Sequence, residues 1–401
     1  EIGLGIPAEP LFRSYAMIFM WKCSIMLTFV AVLLQACSSS SIADDETTTG
    51  RGNENLDTLA INDGYTYELP VIFHVLYANG DNPTQYIPYQ RLGNLLQYVN
   101  EIYQGGVYGN SENVNIKFVL ATTDENGKKL SHPGVEYVKY TGEYPIDEGK
   151  FMEDQTGANV KYIWEPNKYI NVMMFNFKNT SSNEITLGIS HMPFSVKGDN
   201  ELEGLGTVTT PNVKKDNLSF AYCSAINSLY ANTSPNGGYY QSDRYTNPNH
   251  ELTTYTSADV VMTLAHELGH YLGLYHVFTE RRDANDDGSV APVDSCADTD
   301  YCEDTHSYNR YEYTQYLEYE GKDEKYLDPL LKRHSCEGLE YDSDNIMDYS
   351  VGLGFKITPQ QKQRIRHVLY YSPLIPGPKK YRTTRAATFN GLMDIKITTI
   401  K

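Results

Sequence analysis

Positive charge is scarce in this sequence. Its 33 Lys and Arg face 51 Asp and Glu, a formal net charge of −18. Phosphate backbones are held by clustered cations, so a nucleic-acid partner is not expected. Long apolar runs are missing too: the strongest, residues 25–34 (IMLTFVAVLL), is far below the ~20 residues of a membrane-crossing helix. No repeat at solenoid periods is visible. Tryptophan is nearly absent, with 2 against 13 Phe and 34 Tyr, and tyrosine at that level suits strands and half-buried surfaces.

What is present at the start reads as an address. Residues 1–16 lack an initiating Met and look like translated upstream sequence, with Met17 or Met20 as the start. Lys22, the apolar run and Leu34-Gln35-Ala36-Cys37 then form a secretory signal with its processing site. Leu-x-Ala-Cys resembles the lipobox of bacterial lipoproteins, which implies lipidation of Cys37 after removal of residues 1–36. The membrane would then be touched through the lipid anchor only. The location implied is the bacterial cell envelope, the outer membrane first, and Asp44-Asp45-Glu46 resembles signals that send some lipoproteins to the surface. Residues 37–64 are polar and acidic and read as a flexible tether.

Export fits the cysteines. Without Cys23 and Cys37, an even set of Cys223, Cys296, Cys302 and Cys336 remains, enough for two disulfides with three possible connectivities. A structural zinc on Cys296, Cys302, Cys336 and His334 is the competing account.

Residues 65–372 read as the catalytic domain and 373–401 as a tail. Residues 69–77 (LPVIFHVLY) form a buried strand, and residues 89–103 place Leu92, Leu95, Leu96, Val99 and Ile102 at helical spacing before Gly105-Gly106. Strands follow at 114–121, 135–140, 169–175 and 185–190. The class is α+β with a mixed sheet. Residues 201–251 read as a long surface excursion, and 288–344 as loop. Thr256-Ser257-Ala258-Asp259 gives a capping box for a helix through Leu272, and Thr358-Pro359-Gln360-Gln361 caps a last helix to about Tyr370. From Lys379 the tail is basic and Thr-rich, an added strand or disorder alike.

The chemistry lies at residues 266–276 (HELGHYLGLYH). His266 and His270 project from one helical face with Glu267 beside them, and Gly273 lets the chain turn so that His276 supplies a third nitrogen. Three histidines leave a fourth zinc position open to water, and Glu267 is placed to take its proton. Asp283, Asn285, Asp287 and Asp294, with Gly288 at the turn, match the oxygen-ligand spacing of a calcium loop without the flanking EF-hand helices, so calcium is a second expected cofactor and an ordinary acidic loop the alternative.

This motif resembles the metzincin signature, and 345–349 (NIMDY) resembles the Met-turn that follows it. Met347 would lie beneath the metal, and Tyr349 would stabilise the oxyanion. Further stretches, including 302–305 (CEDT) and 357–365, are similar to pappalysin-type metzincins, and with the lipobox they look like bacterial zinc-dependent metalloproteinase lipoproteins. The resemblance implies a zincin fold: a twisted mixed sheet with a backing helix and an active-site helix, above an irregular lower subdomain ending in a helix. It also implies a monomeric endopeptidase whose protein or peptide substrates lie antiparallel along an edge strand, for which 185–191 is the candidate. Residues 350–354 (SVGLG) replace the acidic stretch and Cys usual after that Tyr, so an apolar or mixed pocket is expected after the scissile bond. The competing function is a surface-anchored binding lipoprotein with a structural or vestigial zinc, but such a site has no need of Glu267 as a base.

Overall fold

The structure, a computed structural model, describes residues 64–178, 185–234, 237–278, 282–284, 290–292, 294–297, 300–349, 351–380 and 391–401. Cys37 and the tether up to residue 63 lie outside these. No helix among the described residues is long and apolar enough to cross a membrane.

The sheet is built on β1 (Tyr67–Tyr77), whose 11 residues give it room for two successive partners on one side. Its first half pairs with β2 (Ile116–Leu120) and its second with β3 (Val135–Lys139), both parallel. Helix α1 (Tyr89–Gln104) links β1 to β2 and buries the leucines that set its spacing. The chain runs on through α2 (Glu148–Glu153) into β4 (Ile170–Phe175), which takes the other side of β1 in parallel. His74, fully buried in β1, clips both neighbours: its Nδ1 lies 2.7 Å from Glu136 Oε2 and its Nε2 2.9 Å from Asn171 Oδ1. Next come β5 (Gly188–His191), β6 (Phe194–Val196), β7 (Gly206–Val208) and β8 (Ser224–Asn227). The spatial order β5-β8-β4-β1-β2 makes a parallel block with one antiparallel strand, β5, at its end.

Three expectations need correction here. Residues 201–251 are not merely a surface excursion, because β8 lies inside them and residues 220–225 are completely buried. A strand covered on both faces shows no alternation, and FAYCSAIN lacks a β-branched run. Within 288–344 stand α4 (Arg310–Tyr319), α5 (Leu327–Leu331) and the hairpin β11 (Lys332–His334) with β12 (Glu340–Asp342). Among the described residues only one disulfide forms, Cys296–Cys336. Cys223 is buried in β8 with its sulfur 3.5 Å from Met152 Sδ, and Cys302 is a free buried thiol, so the two-disulfide set fails. The structural zinc fails with it, since two of its thiolates are consumed in the bridge.

Helix α3 (Val260–Tyr271) runs under the sheet, buried on nearly every side. Its cap is Asp259 alone, whose side chain accepts from Val261 and Met262 N–H; Thr256 takes no part. Hairpin β9 (Arg282–Ala284) and β10 (Val290–Pro292) precede α4, and α6 (Pro359–Tyr371) closes the lower part with the Thr358 capping box and Pro359 at its first turn. The tail returns to the sheet, where β13 (Thr399–Ile400) pairs with the outer edge of β5.

Candidate active site

At the C-terminus of α3 the chain turns at Gly273, whose φ of +95° an L side chain seldom adopts, and a Cβ there would also stand 2.7 Å from Val368. Arg364 of α6 fixes this turn by donating from Nε to Gly273 O at 2.6 Å. The turn returns His276 to the helix. The Nε2 atoms of His266, His270 and His276 form a triangle with sides of 3.0, 3.0 and 3.1 Å. They are buried, and are the one such ligand group among the described residues.

This set fits a metal. His266 Nδ1 lies 2.7 Å from Ile346 O and His270 Nδ1 2.8 Å from Leu274 O. Each Nδ1–H therefore donates to a carbonyl, and the Nε2 lone pairs of both rings face the common centre. Crowded lone pairs call for a cation between them. A tetrahedral zinc with ~2.0–2.1 Å bonds would need ligand edges of roughly 3.3 Å, close to the observed sides.

Glu267 is buried beside this centre, and its Oε2 has no hydrogen-bond partner among the described residues. Burial pushes its carboxyl well above the usual carboxylate range. Above it stands Gly188 of β5. A methyl group at that position would come 2.4 Å from Glu267 Oε1 and 2.5 Å from its Cγ, so only glycine lets the strand pass so near. Sequence reading missed this contact, since a lone Gly in a strand has many explanations.

Below the histidines, Met347 is fully buried, and a Cβ on Gly269 would lie 2.5 Å from its Sδ. The Met-turn thus touches the helix between two ligands. Tyr349 follows, its ring centroid 4.4 Å from that of His276 and 5.4 Å from that of His266. Phe278 stacks on His276 at 4.6 Å, and the Arg310 guanidinium lies 4.5 Å from the Tyr349 ring and 4.9 Å from that of Phe278.

A buried ion pair that the sequence did not reveal holds this turn. The Arg333 side chain is completely enclosed, with Nε 3.3 Å from Asp348 Oδ2, too far out of line for a hydrogen bond. Its guanidinium lies 3.6 Å from the Tyr313 ring centroid and donates to Tyr349 O at 3.2 Å and Val351 O at 2.9 Å. Burial is the largest single influence and works against its charge, but Asp348, Tyr308 and Tyr313 together outweigh it and the net shift is upward. Asp348 also accepts from Tyr308 and Ser343 hydroxyls and the Tyr349 N–H. Val351 packs with Tyr255, Leu330 and Leu331, so the segment after the Met-turn has an apolar backing.

The one ligand cluster among the described residues includes none of the expected calcium residues. Asn285 and Asp287 lie outside the described residues, a hairpin joins the segments on either side, and Asp294 accepts from Asn309 Nδ2 at 2.6 Å.

Residues 217–370 match the family Peptidase_M43, described as pregnancy-associated plasma protein-A. No curated protein matches the chain. Among solved structures it is similar to mature mirolysin of Tannerella forsythia in complex with a cleaved peptide, at 20% identity and TM-score 0.44, covering 75% of this chain and 90% of that one. Mirolysin in complex with compound 9 gives 20% and 0.46, with 76% and 92% covered, and a promirolysin mutant of T. forsythia gives 18% and 0.43, with 76% and 81% covered. The matched segment holds β8, the histidine helix, the Met-turn and α6, so over residues 217–370, which carry its site, this chain is similar to the pappalysin-like metallopeptidases.

Proposed function

We infer that the chain is a zinc-dependent endopeptidase in which Glu267 activates water against peptide carbonyls of proteins outside the cytoplasm. The observation that carries this is the buried, unpartnered Oε2 of Glu267, the residue following the ligand His266 in α3, together with the three converging Nε2 atoms. Zinc held by His266, His270 and His276 would supply Lewis-acid polarisation and lower the pKa of water.

The remaining work belongs to side chains. Glu267 takes a proton from the attacking water and passes it to the leaving amine. The Tyr349 hydroxyl, carried on a ring beside His276, donates to the oxygen on which charge develops. β8 and β5 roof the site and limit the entry of bulk water. A purely structural metal would leave the buried carboxyl of Glu267 without a purpose, which disfavours the binding-lipoprotein alternative. The lipobox ending at Cys37 supports anchorage in the bacterial envelope and hence substrates met there.

The test is cleavage of an unfolded protein by the zinc-loaded chain and by Glu267→Gln. Removing a general base should lower kcat by at least ~10²-fold while zinc content stays the same. Undiminished cleavage by the variant would refute the role given to Glu267.

A further inference from the structure

An extended peptide can add a strand to the sheet beside the histidines only along the outer edge of β5, and the chain already places a strand there. β13 lies antiparallel to β5 with Thr399 opposite His191 and Ile400 opposite Ser190. The pairing continues one step further, where Met192 N–H donates to Thr398 O at 2.9 Å.

Direction gives this pairing its meaning. β5 runs from Gly188, packed against Glu267, to His191. A strand antiparallel to it runs towards Glu267, and the next step of the register sets Lys401 beside Ile189. A substrate on the same edge, with its reacting bond at Glu267, has the residues on the amino side of that bond opposite Ser190 and His191. β13 uses those same main-chain positions.

Its hold is short. Ile400 is buried against the core, and Lys401 Nζ lies 3.2 Å from Glu148 Oε1. The segment before it is tied down independently: Ile395 is buried, Met393 N–H donates to Asn217 O, and Asn217 Nδ2 donates to Gly391 O. Two ladder pairs, the Met192–Thr398 hydrogen bond, the Lys401–Glu148 ion pair and one buried side chain can therefore separate while residues 391–395 stay attached.

We propose that β13 is an internal occupant of the substrate track, seated where the amino-side half of a long peptide has to lie. The proposal rests on the metallopeptidase reading and extends it to the substrates admitted. Peptides with a single residue before the cut enter beside the seated strand, and longer ones bind only in the fraction of molecules from which it has left.

The experiment takes a cut site found in a digested protein and makes it as two quenched-fluorescent peptides, with one and with six residues before the cut. These are given to the full chain and to a chain lacking residues 398–401, both zinc-loaded. Shortening should raise kcat/KM for the long peptide by about tenfold, as for an edge seated nine-tenths of the time, and change the short one by less than about twofold. A synthetic peptide of residues 394–401 should inhibit the shortened chain competitively on the long substrate. An unchanged long-to-short ratio, with the short peptide still cleaved, would overturn the proposal. Should the shortened chain melt early, Ile400→Asp with Lys401→Glu releases the strand instead and must give the same rise. If no form cleaves either length, the peptidase reading itself has failed, an outcome distinct from an unchanged ratio.

Discussion

Replacing Arg333 by Met tests whether the Met-turn is held from behind by a buried charge. The substitution keeps the apolar stem against Tyr313 and removes the guanidinium. Asp348, only slightly exposed, then loses its cation, although three donors remain: Tyr308, Ser343 and its neighbour's N–H. The carbonyls of Tyr349 and Val351 lose their partners as well. Breaking a buried pair from one side costs about 3–5 kcal/mol, and the remaining donors keep the expectation at the lower end. Urea unfolding of the zinc-loaded chain measures it. Asp348→Asn and the double variant complete a cycle whose coupling should exceed about 1 kcal/mol. Kinetics provide a second readout, since slackening the backbone that carries Tyr349 should lower kcat more than it raises KM. A loss below about 1 kcal/mol with additive single effects would refute the clamp.

Three more outcomes follow from the same structure. Gly188→Ala should press a methyl group onto Glu267 and lower kcat about 100-fold, the scale of an ångström misplacement, so a rate within about threefold of the parent would show the contact to be slack. Removing the Cys296–Cys336 bridge as a double Ser variant should cost about 4 kcal/mol, from the entropy of a loop with a sequence separation of 40, and an unchanged urea midpoint would contradict it. His191 is buried with its pKa pushed down to about 4, chiefly by burial. A folded pKa below the unfolded one gives stability that is complete above about pH 6.5 and is lost as pH falls towards 4. Asp300, pushed up to about 6, acts in the opposite sense, so the readout is a difference: from pH 7 to 5 the parent should lose about 2 kcal/mol more than His191→Gln. Parallel profiles would refute it.

The site was legible in the sequence to the extent that its parts are local. His266, Glu267 and His270 share one helical turn, and Gly273 announces the bend that returns His276, so spacing alone assembles them. Met347 and Tyr349 became readable through resemblance, because nothing in 345–349 says by itself that it lies under a helix. Contacts made across the fold by unremarkable residues stayed hidden. Gly188 is one glycine among 30, and Arg333 reads as a solvated cation until its environment is known. β8 escaped for a related reason: alternation marks a strand with one wet face, and residues 220–227 have none. The edge strand shows how the two kinds of information combine. Residues 185–190 read as β and the strand forms at Gly188–His191, but a strand's own sequence does not say which neighbour takes its free edge. Here that neighbour comes from a tail for which strand and disorder stood level, and its register, rather than its composition, directs it at Glu267.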